Sequence, residues 1–201
     1  VRRFILGFAK KIILSNNMAL VADAVFSADP GQRSVVYAWM GAFAYAFQIL
    51  FDFSGYSDMA IGLGKMFGFH FSENFDYPYI SASVSEFWRR WHISLGQWFR
   101  DYVYFPLGGS RVKSKARLIW NLFVVWLLTG IWHGASWNFV VWGLLYFVLI
   151  AFEKLTGLPN RFAYRWQKEL YRVFTLLCVL IGWVFFRASD LPAALAFLQS
   201  M

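Results

Sequence analysis

This chain is short of cysteine, of acidic residues relative to basic ones, and of linker sequence. One cysteine, Cys178, stands in an apolar run, which excludes an intrachain disulfide and a cysteine-built metal cluster. There are five prolines in 201 residues, and no Gly/Ser-rich, Pro-rich or low-complexity tract divides the chain, so residues 1–201 read as a single compact domain. Acids number 11 against 19 lysines and arginines. In so apolar a chain that surplus marks cytoplasmic loops and contact with anionic membrane lipid, and nucleic acid is not an expected partner. No G-x-x-x-x-G-K-[ST] pattern makes a phosphate loop, and no H-E-x-x-H makes a zinc site. Val1-Arg2-Arg3 is followed by a stretch broken at Lys10 and Lys11, without the apolar core of a signal peptide. We read the sequence as the C-terminal part of a longer polytopic chain.

What the sequence has in abundance is apolar surface. It is 59% hydrophobic and 22% aromatic, above the ~45–50% apolar content of soluble domains, and this predicts an all-α integral membrane protein. The rest is organised around His133. Residues 116–132 and 135–152 are nearly continuous apolar runs, each close to the roughly 17–25 residues of a bilayer span. Only His133 and Gly134 separate them. An ionisable side chain in such a place marks a functional site by default.

Along the chain, residues 4–26 are helical in pattern but interrupted by Lys10, Lys11, Asn16, Asn17 and Asp23, which fits either a tilted span or an interfacial helix. Residues 35–51 form a clearer span. Asp52 to Asp58 then place two carboxylates, two serines and a tyrosine at its end, and Ser57 or Asp58 is expected to cap a separate helix over 59–67 closed by Gly68. A direct role for Asp58 in a site is the alternative. Ser83 and Glu86 have capping-box spacing, so a helix is predicted from there to about Phe99. Val84, Phe87, Trp88, Trp91, Leu95 and Trp98 form its apolar stripe, with His92 on or beside it. Arg111, Lys113, Lys115 and Arg117 precede the next span, either as a positive-inside anchor or as a site for a phosphate-bearing cosubstrate. Residues 170–186 form the last span.

Three histidines are available for chemistry, and His70, in a turn between aromatic residues, reads as structural. His92 and His133 admit two readings. A non-catalytic membrane subunit is one, either a transporter-like component or a bis-histidine haem carrier. General-base catalysis is the other, since a partly buried imidazole stays neutral and can take a proton from an alcohol. Gly130 and Gly134, four apart, would open a small-residue groove if that turn is helical.

Five blocks carry a resemblance: residues 55–62 (GYSDMAIG), 73–79 (ENFDYPY), 86–94 (EFWRRWHIS), 100–109 (RDYVYFPLGG) and 129–138 (TGIWHGASWN). In this order they resemble the membrane-bound O-acyltransferase family, in its bacterial branch of polysaccharide O-acetyltransferases and teichoic acid D-alanyl transferases, over about residues 2–194. The resemblance implies a ring of helices around a funnel or tunnel, with partly inserted helices between spans. It implies His133 as catalytic base and His92 as the second histidine. Asp58, Arg89, Arg90, Trp132 and Asn138, within the same blocks, are candidate substrate contacts, and Arg111 and Lys113 are candidates for the donor's phosphates. The implied reaction moves an acyl group, most simply acetyl, from a thioester (acetyl-CoA or an acyl carrier) to a hydroxyl of an exported polysaccharide or an extracytoplasmic acetyl-relay protein. It needs no bound cofactor or metal, and the place would be the bacterial cytoplasmic membrane. Members of the family are longer at both ends than this chain.

Overall fold

The computed structural model describes residues 1–158 and 160–201, and among these the regular structure is helical, with one isolated bridge between Phe75 and Trp91. The chain divides into two compact units, Val1–Asn74 with Arg187–Met201, and Phe75–Phe186. Among the described residues, five helices are long and apolar enough to cross a membrane: Arg2–Phe26, Val35–Met66, Lys115–His133, Trp137–Thr156 and Arg165–Arg187. The chain is therefore a multi-pass, all-α membrane protein.

In the first unit, α1 (Arg2–Ala9) continues through a π-helical stretch, Lys10–Ser15, into α2 (Asn16–Phe26). The long helix α3 (Val35–Met66) starts where the Ser34 hydroxyl accepts the Tyr37 N–H. Here the structure departs from the sequence expectation, because no separate helix starts at Ser57 or Asp58; α3 runs unbroken through Asp52, Ser57 and Asp58. The reason lies across the helix pair. Arg3 and Lys10 bind the Asp58 carboxylate at 2.8 Å and 2.6 Å, and Lys11 pairs with Asp52. Carboxylates met by three cations can stay inside a helix where unpaired ones would seek water. Gly7 and Gly55 allow this approach, since a Cβ on Gly55 would stand 2.7 Å from the Gly7 carbonyl oxygen. Gly68, at φ +84°, closes α3 as expected, with the Phe69 N–H returning to the Gly64 carbonyl at 2.8 Å. The short C-terminal helix α9 (Leu191–Gln199) is capped by Asp190 and stacks Phe197 on Phe26 at 4.1 Å.

The second unit is built around the short helix α4 (Val84–Arg90). Ser83 caps it, accepting the Glu86 N–H at 3.0 Å, while the Glu86 carboxylate takes the Ala82 N–H at 2.8 Å. This is the expected capping box with its return bond moved back by one residue. Phe87, Trp88 and Trp91 enter an aromatic core with Trp126 of α6 (Lys115–His133), Trp142 and Tyr146 of α7 (Trp137–Thr156) and Trp183 of α8 (Arg165–Arg187). Trp142, Tyr146 and Trp183 are at most 1% exposed. The α6–α7 pair crosses closely at Gly130 and Gly143.

Candidate active site

The predicted helix over 83–99 is two helices, and the break falls at His92. After Arg90 the chain becomes extended at Trp91, and His92 takes left-handed angles (φ +47°, ψ +55°) before α5 (Ile93–Phe99) begins. A non-glycine residue in this region is uncommon, costs about 1–3 kcal/mol, and persists only where its surroundings hold it. They do so here. The Asp76 N–H bonds the Arg90 carbonyl at 3.0 Å, Phe75 bridges to Trp91, and the Arg90 guanidinium grips Glu86 at 2.8 Å and the Asp76 carbonyl at 3.1 Å. His92 is thus lifted off the apolar stripe and set at a corner. Burial pushes its imidazolium down to about 4, so at neutral pH it is an uncharged donor and acceptor.

His133 is the last residue of α6. Gly134 ends the helix, its N–H bonded to the Ile131 carbonyl at 3.2 Å, and α7 starts three residues later. The Gly130 and Gly134 groove expected on one helix face therefore does not form; Gly130 instead faces Gly143 across the α6–α7 crossing. The half-buried His133 ring is walled by Trp132 and Trp142, both at 4.9 Å between centroids, with Phe186 at 5.0 Å and Phe139 at 6.3 Å. The His92 ring meets the same Trp132 indole edge-on at 6.4 Å. Trp132 itself is 57% exposed. Two neutral-capable imidazoles converge on one exposed aromatic wall.

The other candidates divide. Trp132 belongs to this site. Arg89 is exposed on α4, whereas Arg90 is engaged in the clamp beneath His92. Burial raises the Glu86 carboxyl, but the Ala82 N–H and then the Arg90 guanidinium outweigh it and hold it below the usual carboxylate range. Asn138 is 2% exposed; it pairs with the Ser136 hydroxyl and donates to the Phe185 carbonyl at 3.3 Å, which ties the start of α7 to α8. Asp58 lies in the first unit, inside the Arg3 and Lys10 ion pairs. Arg111 and Lys113 are exposed between Gly109 and Ser114, the residue that caps α6. Among the described residues no cluster of three His, Cys, Asp or Glu side chains is arranged to hold a metal.

Sequence reasoning missed Glu153. It is 3% exposed near the end of α7, and its carboxylate accepts the Val84 and Ser85 N–H groups of α4 at 2.7 Å and 2.8 Å, with the Tyr171 hydroxyl at 3.0 Å. A carboxylate at a helix N-terminus satisfies donors that the helix leaves open and opposes its dipole. Its sequence signal is slight: an acid just past the apolar run 135–152, next to Lys154.

Five apolar helices among the described residues define a polytopic membrane protein, in which two imidazoles meet one aromatic wall. Residues 1–188 match the membrane-bound O-acyltransferase (MBOAT) family, and the chain belongs to it. It is 49% identical over 96% of its length to a probable alginate O-acetylase AlgI of Pseudomonas putida, covering 39% of that protein. It is 41% identical over 98% of its length to a peptidoglycan O-acetyltransferase of Helicobacter pylori, covering 37% of it. A teichoic acid D-alanyltransferase of Bacillus subtilis is 30% identical over 92% of the chain, which covers 47% of that protein. The chain thus spans well under half the length of the two O-acetyl-transferring relatives.

Proposed function

We propose that the chain carries the catalytic centre of a membrane O-acyltransferase that moves a short acyl group, acetyl, from a cytoplasmic thioester to a hydroxyl group of an exported polymer. The observation that carries this reading is the convergence of His92 and His133 on Trp132. In the proposed step a His133 ring nitrogen takes the proton of the acceptor hydroxyl as its oxygen attacks the thioester carbonyl. The new C–O bond pushes the carbonyl electrons onto oxygen, where the His92 N–H donates to the oxyanion. The oxyanion collapses, the C–S bond breaks, and the His133 imidazolium returns its proton to the departing thiolate.

Relatives named for alginate, peptidoglycan and teichoic acid support a cell-surface polymer as acceptor, reached directly or through an extracytoplasmic acetyl-relay protein. In this reading the protein sits in the bacterial cytoplasmic membrane, with acetyl-CoA or an acyl carrier as donor. Arg111 and Lys113, exposed and without an acidic partner among the described residues, would meet the donor's phosphates. The test is incubation of the purified full-length protein with acetyl-labelled CoA or acyl carrier and candidate polysaccharides. We expect acetyl esters and free thiol in equal amounts. Thiol release no faster than in buffer, or a haem Soret band in the purified protein, would overturn the reading.

A further inference from the structure

We infer that Glu153 is a positioning residue, the anchor that sets His92 relative to His133; the inference rests on the proposed acyl transfer using both histidines. The argument begins with α4, whose seven residues are too few to hold a helix alone. Its first three N–H groups are taken by two side chains. Ser83 takes the N–H of Glu86, and Glu153 takes those of Val84 and Ser85. The Ser83 bond is local and fixes only the helix start. The Glu153 bonds come from α7, the helix that begins just after the His133 turn, so they fix where α4 lies along α7.

Rotation about the α4 axis is set separately, by Trp88 against Trp142 and Tyr146 at 5.4 Å and 4.8 Å. With axial position and rotation both fixed, the corner two residues beyond α4 is fixed as well, and that corner is His92. The third bond, from the Tyr171 hydroxyl of α8, holds the carboxylate while it spans the gap. Glu153 touches neither histidine. It acts through α4, and the chemistry that requires it is placement, because a misplacement of about 1 Å at a reacting group costs about 10²-fold in rate.

The decisive experiment is a double-mutant cycle on the full-length protein in detergent, with acetyl transfer and hydrogen exchange of residues 84–92 both measured. Glu153→Gln keeps the shape but turns one acceptor oxygen into a donor facing an N–H. We expect kcat to fall by about tenfold to 10²-fold with donor KM unchanged, and exchange to quicken over 84–92. In a His92→Asn background the same change should have little further effect, since coupled residues are not additive. Tyr171→Phe keeps the carboxylate and loses one bond, and a smaller fall with the same dependence on His92 is expected should Glu153→Gln fail to accumulate. An equal fall in both backgrounds, or wild-type kcat in the variants, would refute the positioning role. If the wild type itself transfers no acetyl, the acyl-transfer reading fails; exchange over 84–92 unchanged by Glu153→Gln would then refute the anchor too, and quickened exchange would uphold it.

Discussion

Replacing Gly143 by alanine tests whether the α6–α7 crossing holds His133 in place. A Cβ at Gly143 would stand 2.5 Å from the Trp126 carbonyl oxygen and 3.3 Å from the Gly130 Cα, both backbone atoms with no rotamer to yield. The first contact is about 0.9 Å short of the 3.4 Å at which ordinary contact begins, so the helices must part by nearly that much. Overpacking of this kind costs about 1–3 kcal/mol. For a chain of this size that lowers Tm by about 2–12 °C at about 2–4 °C per kcal/mol. The rate effect should be larger, because His133 ends α6 while Trp142, against its ring, stands on α7. A shift near 1 Å between them predicts about a 10²-fold fall in kcat. Thermal denaturation in detergent and acetyl transfer on the same preparation measure both. Gly96→Ala is the control: its Cβ would lie 3.8 Å from the nearest atom, and in a helix the change is neutral or stabilising by up to about 1 kcal/mol. A Gly143→Ala protein with wild-type Tm and kcat would refute the claim that this crossing positions His133, the proposed base.

His133→Ala should abolish turnover through kcat while the protein still inserts and accumulates, and His92→Asn should retain measurable activity, because asparagine accepts left-handed angles and can donate a hydrogen bond; steady-state kinetics on both variants check this. Neutralising Arg111 and Lys113 together should raise donor KM with little change in kcat, as seen by titrating the thioester. On acidification, His92 should weaken the fold. Burial holds its native pKa near 4 against 6.5 in the unfolded chain, so its neutral form supports the native state fully above pH 6.5, and that support is lost as pH falls towards 4. Thermal scans between pH 4 and 7 should show this slope shallower in His92→Asn.

What the sequence showed and what it hid divide by the range of the interactions. The five blocks, the apolar runs and the two histidines were readable because each is local. The Ser83 and Glu86 cap was readable for the same reason. The break at His92 was not, since the apolar spacing of Trp91, Leu95 and Trp98 continues across it. Contacts from Phe75 and Asp76 impose the corner, and no periodicity records them. Asp52 to Asp58 looked like a break between two helices because the partners of the two carboxylates, Arg3, Lys10 and Lys11, lie on another helix. The role of Glu153 was hidden for a like reason: its partners, Val84 and Ser85, stand on a distant segment.

The unbroken α3 also bears on the lipid around it. Its 32 residues make a rod of about 48 Å at ~1.5 Å per residue, yet the apolar portion before Asp52 covers only about 25 Å, a little under the ~30 Å hydrocarbon depth. A helix with a movable polar end would slide until its greasy part was centred. This one is riveted to the neighbouring helix by the ion pairs of Asp52 and Asp58, and sliding would drag those charges into the acyl chains. The bilayer must therefore adapt to the protein, thinning beside α3 at a cost of fractions of a kcal/mol per Å, and membranes built from long-chain lipids will pull hardest against that fit.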